Sequence, residues 1–165
     1  MKAIVAVDKN WGIGKNNDLL FSIPEDMKFF RQTTLNKVVV MGRKTLESFP
    51  GGNPLKNRVN VVLSSSLDKE GVTVVNNLNE LRECLKNYDT DDVFVIGGAT
   101  VYKLLLPYVK SVLVTKVDAV GGATAFFEDL DKLADWKKVC ESDEIETNGY
   151  KIKFTEYKNL NALEL

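Results

Sequence analysis

Hydrophobic residues in this chain fall into short runs separated by amphipathic stretches. The runs Lys2–Val7, Lys37–Met41, Asn60–Leu63, Val72–Val75, Val93–Ile96 and Ser111–Val117 are rich in Val and Ile and almost continuously apolar. Such runs predict central strands buried on both faces, where neither side of the pleat meets water. The stretches between them predict helices over Ile23–Thr34, Lys44–Ser48, Leu78–Tyr88 and Thr100–Leu106. Pro107 stops the last, because its ring cannot continue the helical ladder. The C-terminal part changes character. Trp136–Ser142 and Tyr150–Tyr157 flank a stretch that ends in Thr147-Asn148-Gly149, and Asn-Gly is a strong hairpin signal. The expected fold is α/β: a mostly parallel eight-stranded central sheet with helices on both faces and an antiparallel C-terminal hairpin. No repeat or linker interrupts it, so one domain over residues 1–165 is expected.

Composition narrows the function. The 165 residues are 44% hydrophobic and 27% charged, which fits a packed core and argues against disorder. A formal net charge of -1 gives no basic excess for nucleic acid or an anionic membrane surface. No apolar run approaches the roughly 20 residues that span a bilayer. Cys84 and Cys140 lie far apart without a CxxC, which excludes a disulfide framework and a thiolate metal site and fits a reducing cytoplasm. His is absent, so no Ser-His-Asp triad or imidazole acid/base exists, and no metal is expected. Proton chemistry falls to carboxylates, hydroxyls, Lys or water.

The candidate chemistry sits in a few segments. Ser22 followed by Glu25 predicts a capping box at a helix start, and Pro24 suits the first turn. Asp26 has no such simple role. At helical spacing it shares a face with Ile23, Phe29 and Phe30, and a carboxylate on a buried stripe is costly unless compensated. It is either a first-turn acid favoured by the helix dipole or the floor of an apolar cleft awaiting adjacent N–H donors. Thr115, late in a predicted strand, could support it with a hydroxyl. Gly42-Arg43-Lys44-Thr45 follows a strand and opens a helix, where backbone amides and two cations favour an anion, although an ordinary charged turn looks the same. Ser64-Ser65-Ser66 also follows a strand. Brought beside Arg43 and Lys44, these serines would suit the extra ribose phosphate of NADP. Gly97-Gly98, between a strand and a helix, permits close approach of backbone to a ligand or a plain tight turn. Gly12-Ile13-Gly14 reads as a glycine-hinged loop anchored by Trp11, and Gly121-Gly122 as a turn.

Together these segments resemble the dihydrofolate reductase family over nearly the whole chain. The carrying residues are Ala6–Gly14, Ile23-Pro24-Glu25-Asp26 with Phe30 and Thr34, Leu35–Ser48, Arg58, Leu63-Ser64-Ser65, Ile96-Gly97-Gly98 with Tyr102, and Thr115 with Asp118. Their order and spacing are specific in a way that no single piece is.

The resemblance implies NADPH-dependent reduction of 7,8-dihydrofolate to tetrahydrofolate by a monomer. Asp26, supported by Thr115, would pair with the pterin amino group and ring N–H. Ile4, Val5, Ala6, Met27, Phe30, Ile96 and Tyr102 would surround the pterin and its aryl extension. Arg58 would clamp the folate α-carboxylate beside Leu55. Ala6, Ile13, Gly14 and Leu19 would line the nicotinamide side. Gly97-Gly98 would carry the family's cis peptide, next to the cofactor diphosphate, with Ile96, Ala99, Thr100, Val101 and Tyr102 around it. Gly42, Arg43, Lys44, Thr45, Leu63, Ser64 and Ser65 would hold the rest of the cofactor. The loop Asn10–Leu20 would act as a lid.

Three positions depart from the family pattern. Leu20-Phe21 stands where Pro-Trp is usual, so the indole donor that orients a water near the acid is missing. Ala123 stands where an acid is frequent, and Thr100 where an Arg is frequent. Two other readings use the same residues. A pyrimidine reductase of the riboflavin pathway also uses NADPH, but lacks the Pro-x-Asp helix start and the Arg58-type clamp. A catalytically silent folate- or nucleotide-binding homologue would tolerate Phe21.

Overall fold

The structure is a computed structural model that describes residues Met1–Leu165. The parallel strands are β1 (Lys2–Val7), β4 (Val38–Gly42), β5 (Val59–Leu63), β6 (Thr73–Val75), β7 (Val93–Gly97) and β8 (Ser111–Val117). The helices are α1 (Pro24–Thr34), α2 (Arg43–Ser48), α3 (Leu78–Leu85) and α4 (Ala99–Leu105). At the C-terminal end lie β10 (Trp136–Glu141), β11 (Ile145–Thr147) and β12 (Tyr150–Asn159). The main sheet runs β10-β12-β8-β1-β7-β4-β5-β6, with β11 also paired to β12. Every pairing from β8 to β6 is parallel, whereas β12 lies antiparallel to both β8 and β10. The expected α/β sheet is therefore present.

Alternation along the buried strands builds two cores. Val38 and Val40 join Ala3, Val5, Val95, Val112 and Val114 on one face, which Leu81 of α3 and Val101 and Leu105 of α4 cover. Val39 and Met41 join Val62 on the other, under Leu46 of α2. On that second face Ile23, just ahead of α1, packs on Val117 and Ile152, and Phe29 of α1 lies 4.7 Å from Phe154 between ring centres.

Helices α1 and α4 thus follow neighbouring strands, β1 and β7, onto opposite faces. Between such strands an open α/β sheet has its switch point, the usual place for a ligand. Here the strands also part: β1 and β7 pair only at Lys2 with Phe94 and Ala3 with Val95. The carbonyl of Ile4, beyond that pairing, accepts instead from the Tyr102 hydroxyl at 2.7 Å.

Three expectations need correction. Ser22 does not cap α1: Ile23 takes the N-cap position without a side-chain bond, and the Ser22 hydroxyl faces the Met27 sulfur. The loop reading of Gly12-Ile13-Gly14 also fails. Gly12–Lys15 forms β2, which turns through Asn16 and Asn17, both at positive φ, into β3 (Asp18–Leu19). With β9 (Ala125–Phe126) it makes a separate three-stranded sheet in the order β3-β2-β9. Finally, the Asn148-Gly149 turn joins β11, not β10, directly to β12.

Candidate functional site

The candidate cleft residues gather on the second face, which the start of α1 and α2 cover, near the carboxyl ends of the parting strands. Asp26, in the first turn of α1, is half-buried there beside Thr115 of β8, which is 2% exposed. Burial pushes its carboxyl above the usual carboxylate range, and the Thr115 hydroxyl draws it part of the way back. No cation contributes, so a negative charge at Asp26 is unpaired in the protein itself. Burial pushes the Tyr102 phenol up, with the Asp26 charge adding to it. An unpaired carboxylate in a low-dielectric cleft calls for a ligand with N–H donors, and a pair of adjacent donors satisfies both oxygens at once.

The surrounding residues split by face. Ile4 is buried, and Ala6, Phe30, Leu55 and Ile96 are half-buried. Met27, at 56% exposure, and Leu19, at 76%, leave apolar surface open to solvent. Val5 differs from expectation. Its side chain belongs to the opposite core, so only its backbone can face the cleft.

Arg58 stands at the outer end of α1. Its Nε donates to the Thr34 hydroxyl at 3.2 Å, and that hydroxyl donates to the Phe30 carbonyl at 2.8 Å. Its terminal nitrogens donate to the carbonyls of Lys56 at 2.9 Å and Arg31 at 3.4 Å. Burial lowers its pKa, and the Arg31 charge adds to the effect; no carboxylate offsets either. A guanidinium fixed by neutral acceptors keeps a full charge for an outside anion. Asn60 braces this loop, accepting from Leu55 N–H at 3.0 Å and donating to the carbonyls of Leu55 at 2.9 Å and Arg58 at 3.1 Å. Sequence reasoning placed Asn60 only as a strand start; an amide inside an apolar run was the available signal.

The loops after β4 and β5 meet at one side-chain contact. Arg43 Nη1 reaches the Ser66 hydroxyl at 3.5 Å, although its Nε also pairs with Glu47 at 3.2 Å. Lys44 and Ser65 are exposed, Leu63 and Ser64 half-buried. Across the sheet the Gly97–Gly98 peptide is cis, and Gly97 has φ 137. A Cβ at Gly97 or Gly98 would stand 3.2 or 3.4 Å from the Thr45 hydroxyl, and one at Gly42 would stand 3.1 Å from Val101. The three glycines therefore let Thr45 and Val101 pack closer to these turns than side chains there would allow. Beyond Gly98, Ala99 is half-buried and Thr100 exposed. Cations, hydroxyls and bare backbone at the ends of β4, β5 and β7 are the donor set a phosphorylated dinucleotide needs.

The expected lid is β2 and β3 with their flanks. Trp11 anchors it, stacked 6.3 Å from Phe127 and edge-on 5.8 Å from Tyr157 between ring centres. Ile13 and Gly14 are half-buried within it. Phe21, at its far end, meets Tyr150 edge-on at 5.0 Å. Asp8, at its base, has no sequence signal of its own, because its partners are backbone amides.

Fold and site together describe an α/β protein of the doubly wound class with an uncompensated, half-buried carboxylate near the switch point of its sheet. The comparisons with known proteins then narrow it. The dihydrofolate reductase family model matches residues 1–159, and the chain belongs to that family. A dihydrofolate reductase of Bacillus subtilis (strain 168) is 36% identical, covering 96% of this chain and 94% of its own length. One of Schistosoma mansoni is 37% identical with 95% of each chain covered. The solved dihydrofolate reductase from Enterococcus faecalis, complexed with NADP(H) and RAB-propyl, superposes with a TM-score of 0.84 at 32% identity, covering 96% of this chain and 95% of that one.

Proposed function

We propose that this chain catalyses NADPH-dependent reduction of 7,8-dihydrofolate to 5,6,7,8-tetrahydrofolate. The observation that carries the reading is the uncompensated Asp26 carboxylate in the first turn of α1, with Arg58, a guanidinium without a carboxylate partner, at the opposite end of the same helix. That spacing of charge suits a ligand with an N–H-rich ring at one end and a carboxylate at the other.

Each group has a separate task. Asp26 accepts the pterin amino and ring N–H donors, held by the Thr115 hydroxyl. Ile4, Met27, Phe30, Leu55 and Ile96 exclude water around the rings, and Arg58 clamps the α-carboxylate. Arg43, Lys44, Thr45, Ser64 and Ser65 would hold cofactor phosphates, the backbone at Gly97-Gly98 would leave room for the diphosphate, and Ala6, Ile13 and Gly14 would line the nicotinamide side. When bound, NADPH would supply the hydride, which no protein side chain can donate. The remaining proton would come from water, with Asp26 tuning the pterin electrostatically. The protein orients the reactants and closes the lid against solvent.

The reading includes one catalytic unit over residues 1–165, working as a monomer in the cytoplasm. No helix of the chain is long and apolar enough to cross a membrane. Loss of NADPH absorbance that depends on added dihydrofolate tests the reading. Tight binding of both compounds without oxidation would favour the silent homologue instead.

A further inference from the structure

The base of the lid holds a charge that neither ligand site uses. Asp8 follows β1 and is 4% exposed. Its Oδ1 accepts from the backbone N–H of Asn10 at 2.9 Å and of Gly12 at 2.7 Å. Its Oδ2 accepts from the N–H of Gly121 at 3.0 Å, far along the chain in the loop between β8 and β9. The neighbouring Lys9 pairs with Asp118 at 2.9 Å. Backbone amides thus carry the compensation for a desolvated carboxylate, through charge-assisted bonds.

The positions of those amides are what matter. Asn10 and Gly12 flank Trp11, which has φ 60, a region a bulky residue enters only when its surroundings enforce it. Trp11 N–H donates to the Asp8 carbonyl, and Asp8 N–H to the Gly12 carbonyl, both at 3.0 Å. Gly12 has no space for a side chain, since a Cβ there would meet that of Ala123 at 2.4 Å and both Asp8 oxygens at 2.9 Å. At the other end, a Cβ on Gly121 would stand 3.0 Å from Leu20 Cδ1 and 3.2 Å from Phe21 Cζ. One carboxylate therefore spans the lid. Oδ1 holds its first strand and Oδ2, through Gly121, the segment against which its last residues pack.

We propose that Asp8 is a positioning residue for the reduction: its carboxylate sets the lid against the β8–β9 loop so that the Ile13-Gly14 backbone is held over the reacting centre. This role rests on the reductase reading. Asp8→Asn is the selective probe. The amide oxygen keeps the bonds to Asn10 and Gly12, while its nitrogen meets the Gly121 N–H donor to donor. Asp8→Ser retains one short acceptor near Asn10 and does not reach Gly121.

The readouts are single-turnover hydride transfer with NADPH and its 4-deuterated form, NADPH affinity, thermal melting, and amide exchange at Gly12 and Gly121. The Asn variant is expected to melt cooperatively and bind NADPH within about twofold, yet to transfer hydride about tenfold more slowly. Its Gly121 amide should exchange faster while Gly12 stays protected, and the isotope effect on steady turnover should rise as chemistry slows relative to lid opening. Unchanged hydride rates in folded Asn and Ser variants overturn the proposal. So does failure of both variants to fold, which makes Asp8 a folding residue only. An unmutated protein that cannot oxidise NADPH with dihydrofolate overturns the reductase reading, and this role with it.

Discussion

Asp26 and Arg58 carry opposite charges that the fold leaves without partners, and each has an energetic consequence of its own. Because burial raises the Asp26 pKa, ionising it costs the empty protein stability. Its neutral form is undisturbed below the ordinary carboxylate range, and stability falls as pH rises through the raised pKa. Asp26→Asn cannot ionise. It should melt higher than the parent at neutral pH, by on the order of 1 kcal/mol, with the gap closing in acid, as thermal denaturation across pH would record. A variant less stable than the parent at pH 7 contradicts this. Arg58→Leu should weaken folate binding about tenfold or more while leaving NADPH affinity near that of the parent, measured by fluorescence titration of each ligand. Equal losses would make Arg58 a brace for α1, through Thr34 and Arg31, and nothing more. Asp26 was legible in the sequence because a carboxylate on an apolar stripe is anomalous. Asp8 and Asn60 were not, because their importance lies in bonds to backbone groups whose positions only the folded loops define.

Long buried strands announce themselves, and short ones do not. β1 and β8 match their expected limits, since unbroken Val/Ile runs have few alternatives to a two-sided core. β2 was hidden by its glycines, and β3 and β9 by their length of 2 residues each. The β2–β9 pairing joins segments more than a hundred residues apart, which local pattern does not encode. α3 ends at Leu85, short of the expected Tyr88, because apolar spacing continues into a polar turn that the helix does not follow. The β7–α4 junction was legible as paired glycines, though its purpose appears only with Thr45 beside it. Gly97 combines φ 137 with a Thr45 hydroxyl 3.2 Å from where a Cβ would stand. Gly97→Ala should therefore cost about 1–3 kcal/mol in chemical denaturation and weaken NADPH binding as well. A fully stable variant that retains NADPH affinity would show that the junction has room the structure does not indicate.

For the molecule as a whole, the order of strands decides where chemistry is possible. α1 and α4 diverge from adjacent strands, and the gap between β1 and β7 brings Asp26, Tyr102, Gly97 and the lid to one end of the sheet. Leu19 of β3 and Met27 of α1 leave apolar side chains exposed. On the proposed function, the unpaired Asp26 carboxylate is what makes the bound heterocycle reducible. Single-turnover oxidation of NADPH by the dihydrofolate-loaded protein, with the parent and Asp26→Asn compared at neutral pH, tests it most directly. The account predicts rapid hydride transfer by the parent and a rate at least about a hundredfold lower in the folded, cofactor-binding Asn variant; comparable rates in the two proteins would contradict it.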